Sequence, residues 1–293
     1  KSDSWTAADP AFSRRCGEAG FIAMTWPKQY GGHERTAFER YVVVEELLAA
    51  GAPVAAHWIA DRQSGPQILR NGSQRAKDTI LPGIAAGRVF FAIGMSEPDV
   101  GSDVAAIRTR ATRAEGGWKV NGRKVWSSGA HLAQYMIALV RTSGTHEDRH
   151  KGLTQLIIDL KAPGVTVRPI ENLSGAKDFN ETIIDDCFVP DDMVLGGEGR
   201  GWEMVTAELA FERSGPERFM STMPLFLAAL NGMPRTEPTS IEIGRAVAHL
   251  TALRAMSVSV AGALQRGEAP NTEASLVKDV GAVFEQNLPD VVR

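Results

Sequence analysis

Cysteine is nearly missing. Cys16 and Cys187 are the only two in 293 residues, and they lie far apart in the chain. Two distant thiols make no disulfide framework, so an apolar core has to hold the fold, and a reducing, cytoplasmic setting is expected. An excess of one charge is missing as well. The 32 Lys and Arg nearly balance 35 Asp and Glu, and no basic run occurs, which argues against nucleic acid as a partner. No unbroken apolar stretch reaches the roughly 18 residues of a membrane span, so no membrane span is expected, and no charged-then-apolar leader opens the chain. Position 1 is Lys rather than Met, so the natural chain is expected to begin upstream. Metal-ligand clusters are scarce too. His146 and His150 stand i,i+4, but RTSGTHEDRHKG reads as a polar loop and anchors no further ligand, so no metal is expected.

What is present is an ordinary globular composition, 43% hydrophobic and 23% charged, on a length that holds two or three packed layers. Residues 10–24 have helical spacing, and Trp26-Pro27 and Gly31-Gly32 break it. A long helix is predicted from Thr36 to Ala50, with Thr36 as N-cap and Glu39 completing a capping box. Further helices are predicted near Arg62–Asn71 and Ser73–Ile80, the second ended by Leu81-Pro82-Gly83. From Arg88 the pattern becomes strand-like. Glu115-Gly116-Gly117 and Asn121-Gly122 read as hairpin turns, and seven or eight short strands run to about 195. Helical patterns return at Trp202–Arg213, 237–265 and Asn271–Leu288. Helices, then strands, then helices predict an α+β fold of three parts: an N-terminal helical domain (1–87), a central antiparallel β domain (88–195) and a C-terminal helical bundle (196–293) that ends short.

The stretch with the most chemistry is FFAIGMSEPDVGSD at 90–103. An apolar strand enters a loop with Ser96, Pro98, Gly101 and Ser102, which offers hydroxyls and backbone N–H groups to a polar ligand. An ordinary turn has the same local pattern. GGEGRG at 196–201 is glycine-rich, but no βαβ unit surrounds it, so a loop entering a helix accounts for it.

Four segments occur together in order: WPKQYGG (26–32), MSEPDVGSD (95–103), VNGRKVWSSGA (120–130) and DDCFVPDDMVLGGEGRGWEMV (185–205). With them the sequence resembles the acyl-CoA dehydrogenases, over nearly its whole length. The resemblance implies FAD as cofactor and α,β-dehydrogenation of an acyl-CoA thioester. It implies that Met95 and Ser96 face the flavin pyrimidine edge, that Gly101 and Ser102 stand at the pyrophosphate and acyl-CoA entrance, that Trp126 packs on the ring and that Ser128, after Ser127, bonds flavin N5. Phe211-Glu212-Arg213 matches members that carry the catalytic base on the first C-terminal helix, so Glu212 is the implied base and Arg213 a substrate-side residue. Trp202, Val205, Leu209 and Glu212 share a helical face, and a dry pocket raises a glutamate's proton affinity, which suits a base. A solvated Glu at a helix end and a surface ion pair for Arg213 have the same sequence pattern.

The resemblance also implies electron-transferring flavoprotein as acceptor, a bacterial cytoplasmic location and a tetrameric assembly. Residues 223–240 lack the Arg-x-x-Phe-Gly segment of typical members, and the C-terminal segment that closes over a neighbour's adenine is absent. These departures fit a mixed α2β2 tetramer as well as a homotetramer, of the kind that oxidises bulky acyl groups such as steroid side chains. Other readings of the same residues are a non-catalytic half-site partner subunit, a same-fold flavin oxidase or monooxygenase, and a helical adaptor without cofactor.

Overall fold

The protein is seen here in a computed structural model that describes residues 6–292, except the side chains of Leu209, Ala210 and Phe211. The N-terminal part is helical: α1 (Pro10–Glu18), α2 (Ala37–Ala49), α3 (Ala55–Ile59), α4 (Gly65–Asn71) and α5 (Gln74–Ala85). Thr36 caps α2, accepting from Glu39 N while Glu39 returns a carboxylate to Thr36 N, as the sequence predicts. α1 is shorter than its pattern and stops before Gly20, whose φ of +74° turns the chain back. The α5 helix passes through Pro82 instead of ending there. It stops at Ala85, and two residues on the chain turns at Gly87, where an added Cβ would meet Ser13 O at 2.1 Å. A π-helical stretch, Ala60–Ser64, joins α3 to α4. In WPKQYGG, Trp26 is buried with its ring over Gly65, where a Cβ would stand 2.1 Å from the indole. That glycine lets the loop and α4 close on each other.

Eight strands follow: β1 (Phe91–Gly94), β2 (Arg110–Ala114), β3 (Gly117–Lys124), β4 (Tyr135–Arg141), β5 (Leu153–Asp159), β6 (Val165–Ile170), β7 (Phe179–Pro190) and β8 (Val194–Leu195). The path is β6-β7-β3-β2-β4-β5-β8, with β1 paired to β4. Most pairings are antiparallel; β1 and β2 lie parallel to β4, so the sheet departs from a purely antiparallel one. Asn121-Gly122 is not a hairpin turn. It lies inside β3 opposite a bulge in β7, where Asn121 bonds Asp186 N and Asp186 Oδ1 and Gly122 packs on Thr109. Pairing with a distant strand overrides the local turn preference there.

The central strand β4 is apolar throughout because both faces are covered. Met136, Ala138 and Val140 join one cluster with Trp118, Leu156 and Ile158. On the other face Ile137 meets Trp26, Ile68, Ile80 and Ile84 of the helical part. Each such fully buried aliphatic side chain contributes roughly 2 kcal/mol.

The chain then returns to helix: α6 (Gly201–Arg213), α7 (Met223–Gly232), α8 (Glu237–Gln265) and α9 (Asn271–Val291). α2, α8 and α9 share a core of Val44, Leu48, Leu253, Val260, Val277 and Phe284. Among the described residues one helix, α8, is long and apolar enough by length and composition alone to cross a membrane, and it packs against α2 and α9 in this core. Its charges are few and spread, so the average is apolar without any unbroken apolar run.

Candidate functional site

Two loops meet at one end of the sheet. β1 runs into Met95-Ser96 and β3 into Val125-Trp126, and Val125 N donates to Ser96 O at 2.9 Å. Under this junction sits an ion pair that sequence reasoning missed. Lys124 is fully buried, and its Nζ reaches Glu97 Oε1 at 2.9 Å and Met95 O at 3.1 Å. Glu97 also accepts from Arg108 N (2.7 Å) and Thr109 N (2.9 Å). Burial raises the Glu97 carboxyl, but Lys124, Thr109 and Arg108 outweigh it and the net direction is downward. Burial brings the Lys124 ammonium down to about 8, against the pull of Glu97. The signal was present in the sequence: Trp118, Val120, Gly122 and Lys124 alternate onto one face of β3, and a Lys in that inward register needs a partner.

The loop beyond is tightly turned. Glu97 and Val100 exchange both backbone bonds across Pro98-Asp99. Gly101 and Ser102 are exposed, and an added Cβ at Gly101 would meet nothing within 4 Å. Its own chain therefore does not require glycine there.

Trp126 is 60% exposed, stands at a φ of +60° and meets Phe179 edge-on at 6.1 Å. A large aromatic held open to solvent in the left-handed region is strained by about 1–3 kcal/mol. Neighbouring bonds impose it: Ser127 N donates to Asn180 O, Asn180 Nδ2 to Ser127 O, and Gly129 N to Asp178 O. Among the described residues Ser127 Oγ is buried without a partner, and Ser128 is exposed beside it. An exposed indole face, an orphaned hydroxyl and the half-buried Met95-Ser96 edge fit a planar heteroaromatic group such as a flavin.

α6 links this region to Glu212. Trp202 and Val205 pack with Met95, Val100 and Ile107, and His150 stacks on Trp202 at 4.1 Å. Glu212 lies two turns past Val205, about 10 Å along the axis. Its described contacts go to Arg62 (4.0 Å), Arg213 (3.7 Å) and Arg218, none to the Met95–Ser102 or Trp126–Ser128 loops. Leu209 and Phe211, which the sequence pattern grouped with it, have side chains outside the described residues.

The dry carboxyl expected at Glu212 is found one turn earlier. Glu208 is buried and accepts from Gln63 (2.9 Å), Gln67 (2.8 Å) and Gln155 (3.1 Å). Burial raises its proton affinity, the three amides oppose this, and Glu212 adds to it. Glu208 is four residues from the buried Met204, a spacing that put it on the inward face.

Beside this network a cleft of about 440 Å³ opens between the Thr25–Tyr41 segment, Asp61–Pro66 and Ser214–Glu217. Arg40 pairs with Asp61 at 3.0 Å in its wall, and the buried Arg62 pairs with Glu217. Burial and the charge of Arg218 push the Arg62 guanidinium well below its ordinary value, and Glu212 opposes them.

Residues 2–88 and 92–187 match the family profiles described as the acyl-CoA dehydrogenase N-terminal and middle domains. Acyl-CoA dehydrogenase FadE34 of Mycobacterium tuberculosis is 32% identical over 280 residues, 93% of this chain and 38% of that protein. FadE29 of the same organism is 39% identical over 69% of this chain and 52% of its own length, so this chain spans about half or less of these relatives. The structure of the ChsE4-ChsE5 complex from M. tuberculosis aligns at a TM-score of 0.82 and 30% identity, covering 96% of this chain and 74% of that one. The Tcur3481-Tcur3483 steroid ACAD aligns at 0.87 and 26%, covering 99% and 77%.

Proposed function

Because this chain belongs to the acyl-CoA dehydrogenase family, we propose that it acts in FAD-dependent α,β-dehydrogenation of an acyl-CoA thioester to the trans-2-enoyl-CoA, with Glu212 as the base. The observation that carries this reading is α6: one end packs on the Met95–Val100 loop and the other holds a carboxylate among guanidiniums. Met95, Ser96, Gly101, Ser102, Trp126, Ser127 and Ser128 would hold the cofactor. FAD, when bound, supplies the hydride acceptor for the β-hydrogen. Glu212 takes the α-proton onto a carboxylate oxygen, and Ser102 and Arg213 face the substrate. Glu97 and Lys124 keep the Met95-Ser96 backbone fixed, so its donors need no rearrangement during the reaction. The boundaries 1–87, 88–195 and 196–293 belong to the same reading, as does a cytoplasmic location for a chain with two buried free thiols.

An α2β2 tetramer with a second acyl-CoA dehydrogenase chain and electron-transferring flavoprotein as acceptor complete the proposal. The complexes of unlike chains among the relatives support the first, as do Leu225, Leu227, Ile241 and Val247, exposed on α7 and α8. A half-site partner role is the second reading, favoured by Glu212 being engaged by arginines. The test is anaerobic bleaching of bound flavin by acyl-CoAs of differing bulk. Glu212→Gln is expected to keep flavin and ligand and to lose about 100-fold or more in rate; turnover within twofold of the parent overturns Glu212 as base.

A further inference from the structure

Three guanidiniums surround Glu212, and they are not equivalent. Arg62 stands at 4.0 Å but is paired with Glu217. Arg213 stands at 3.7 Å, and its Nη1 donates to Ser275 Oγ on α9 at 3.1 Å. Arg218 is different, because all the described hydrogen bonds of its side chain end on Glu212. Its Nε and Nη2 donate to Glu212 O at 2.9 and 2.7 Å, and Nη2 also reaches the carboxylate. One planar fork thus closes the C-terminus of α6 and grips the side chain of the same residue.

The grip is built in by the fold. Ser214-Gly215-Pro216 ends α6 and folds the chain back, so that a residue six positions on meets the helix end. Arg218 N bonds Gly215 O at 3.1 Å, and Ser257 of α8 holds Ser214 O. Arg218 O lies so close to Gly281 of α9 that an added Cβ there would stand 2.2 Å away. The turn is fixed from two sides before any ligand arrives.

We infer that Arg218 is a positioning residue for Glu212: its fork closes the end of α6 and fixes the direction in which the carboxylate of the same residue points. This rests on the reading of Glu212 as base. The contrast with Glu208 on the same helix supports it, since the described hydrogen bonds of that carboxyl come from neutral amides and Glu212 is gripped by a guanidinium. The charged groups facing Glu212 are Arg62 from the α3–α4 segment, Arg213 and Glu208 from α6, and Arg218 from the turn, with Glu217 behind Arg62.

The test is steady-state kinetics of the full chain with an acyl-CoA that bleaches its flavin. Arg218→Gln keeps a donor for Glu212 O, so the helix end survives, but it loses the fork. It is expected to lower kcat about tenfold or more while KM and bound flavin stay within about twofold of the parent. Arg218→Lys, a charge without the planar fork, is expected to recover only part of kcat. A kcat unchanged in folded Arg218→Gln, with Glu212→Gln inactive, overturns the inference. Normal turnover of Glu212→Gln overturns the base reading instead.

Discussion

Glu97→Gln tests the support beneath the loop junction. In the parent, burial has already brought Lys124 from 10.5 to about 8, a cost of about 3 kcal/mol. Without the carboxylate the ammonium is less favourable still and gives up its proton, which adds about 1 kcal/mol at pH 7 before deprotonation caps it. The introduced amide has one acceptor oxygen, so one of the Arg108 and Thr109 N–H groups is left buried and unpaired, at about 1–3 kcal/mol. The sum is about 3 kcal/mol, at the lower end of what breaking a buried ion pair costs. The pH dependence is specific. A lysine whose folded value lies below its unfolded one binds more protons unfolded, so parent stability rises with pH between about 8 and 10.5. In the variant that rise starts lower, so the gap between the two proteins narrows by about 1 kcal/mol from pH 7 to pH 9.5. Urea unfolding followed by tryptophan fluorescence at both pH values measures this. Because Lys124 also bonds Met95 O, the variant should retain flavin less well. A variant within about 1 kcal/mol of the parent at pH 7, with unchanged flavin retention, would refute the reasoning.

Two further outcomes are expected. His57 is buried against Ser13 Oγ at 2.8 Å, and burial holds its imidazole down to about 4. The unfolded chain takes up a proton near 6.5 and the folded one does not, so about 3 kcal/mol of stability is lost as pH falls from 6.5 to 4. His57→Gln should flatten that part of the urea-midpoint profile, and an identical slope would count against the assignment. Trp126→Ala should change stability by less than about 1 kcal/mol, because an exposed ring buries little, yet lower bound flavin per chain severalfold. Unchanged flavin content would remove Trp126 from the cofactor site.

Local rules were legible where the interaction is local. The capping box of α2 needs only Thr36 and Glu39 three residues apart, and the structure has it. The apolar run at 135–140 has a strand pattern, and the structure has β4 there. Where distant segments meet, local rules failed. Asn121-Gly122 has hairpin chemistry, but β7 arrives opposite it with a bulge. Pro82 should end a helix by its missing N–H, yet α5 continues to Ala85, with Ile80, Leu81 and Ile84 buried beside it.

By itself the sequence determined the alternation of helical and strand periods, the caps and breaks between them, and four ordered segments specific enough to indicate the family. Those depend on neighbours within a turn or a strand. Only the tertiary structure decided which of two carboxyls four residues apart on α6 lies dry and which lies among cations. Glu208 and Glu212 share a helical spacing, so no pattern separates them. Gln63, Gln67 and Gln155 come to one, and Arg62 and Arg218 to the other, from segments brought together when the three parts pack. A charge environment is a sum over neighbours in space, and spacing along the chain does not contain it.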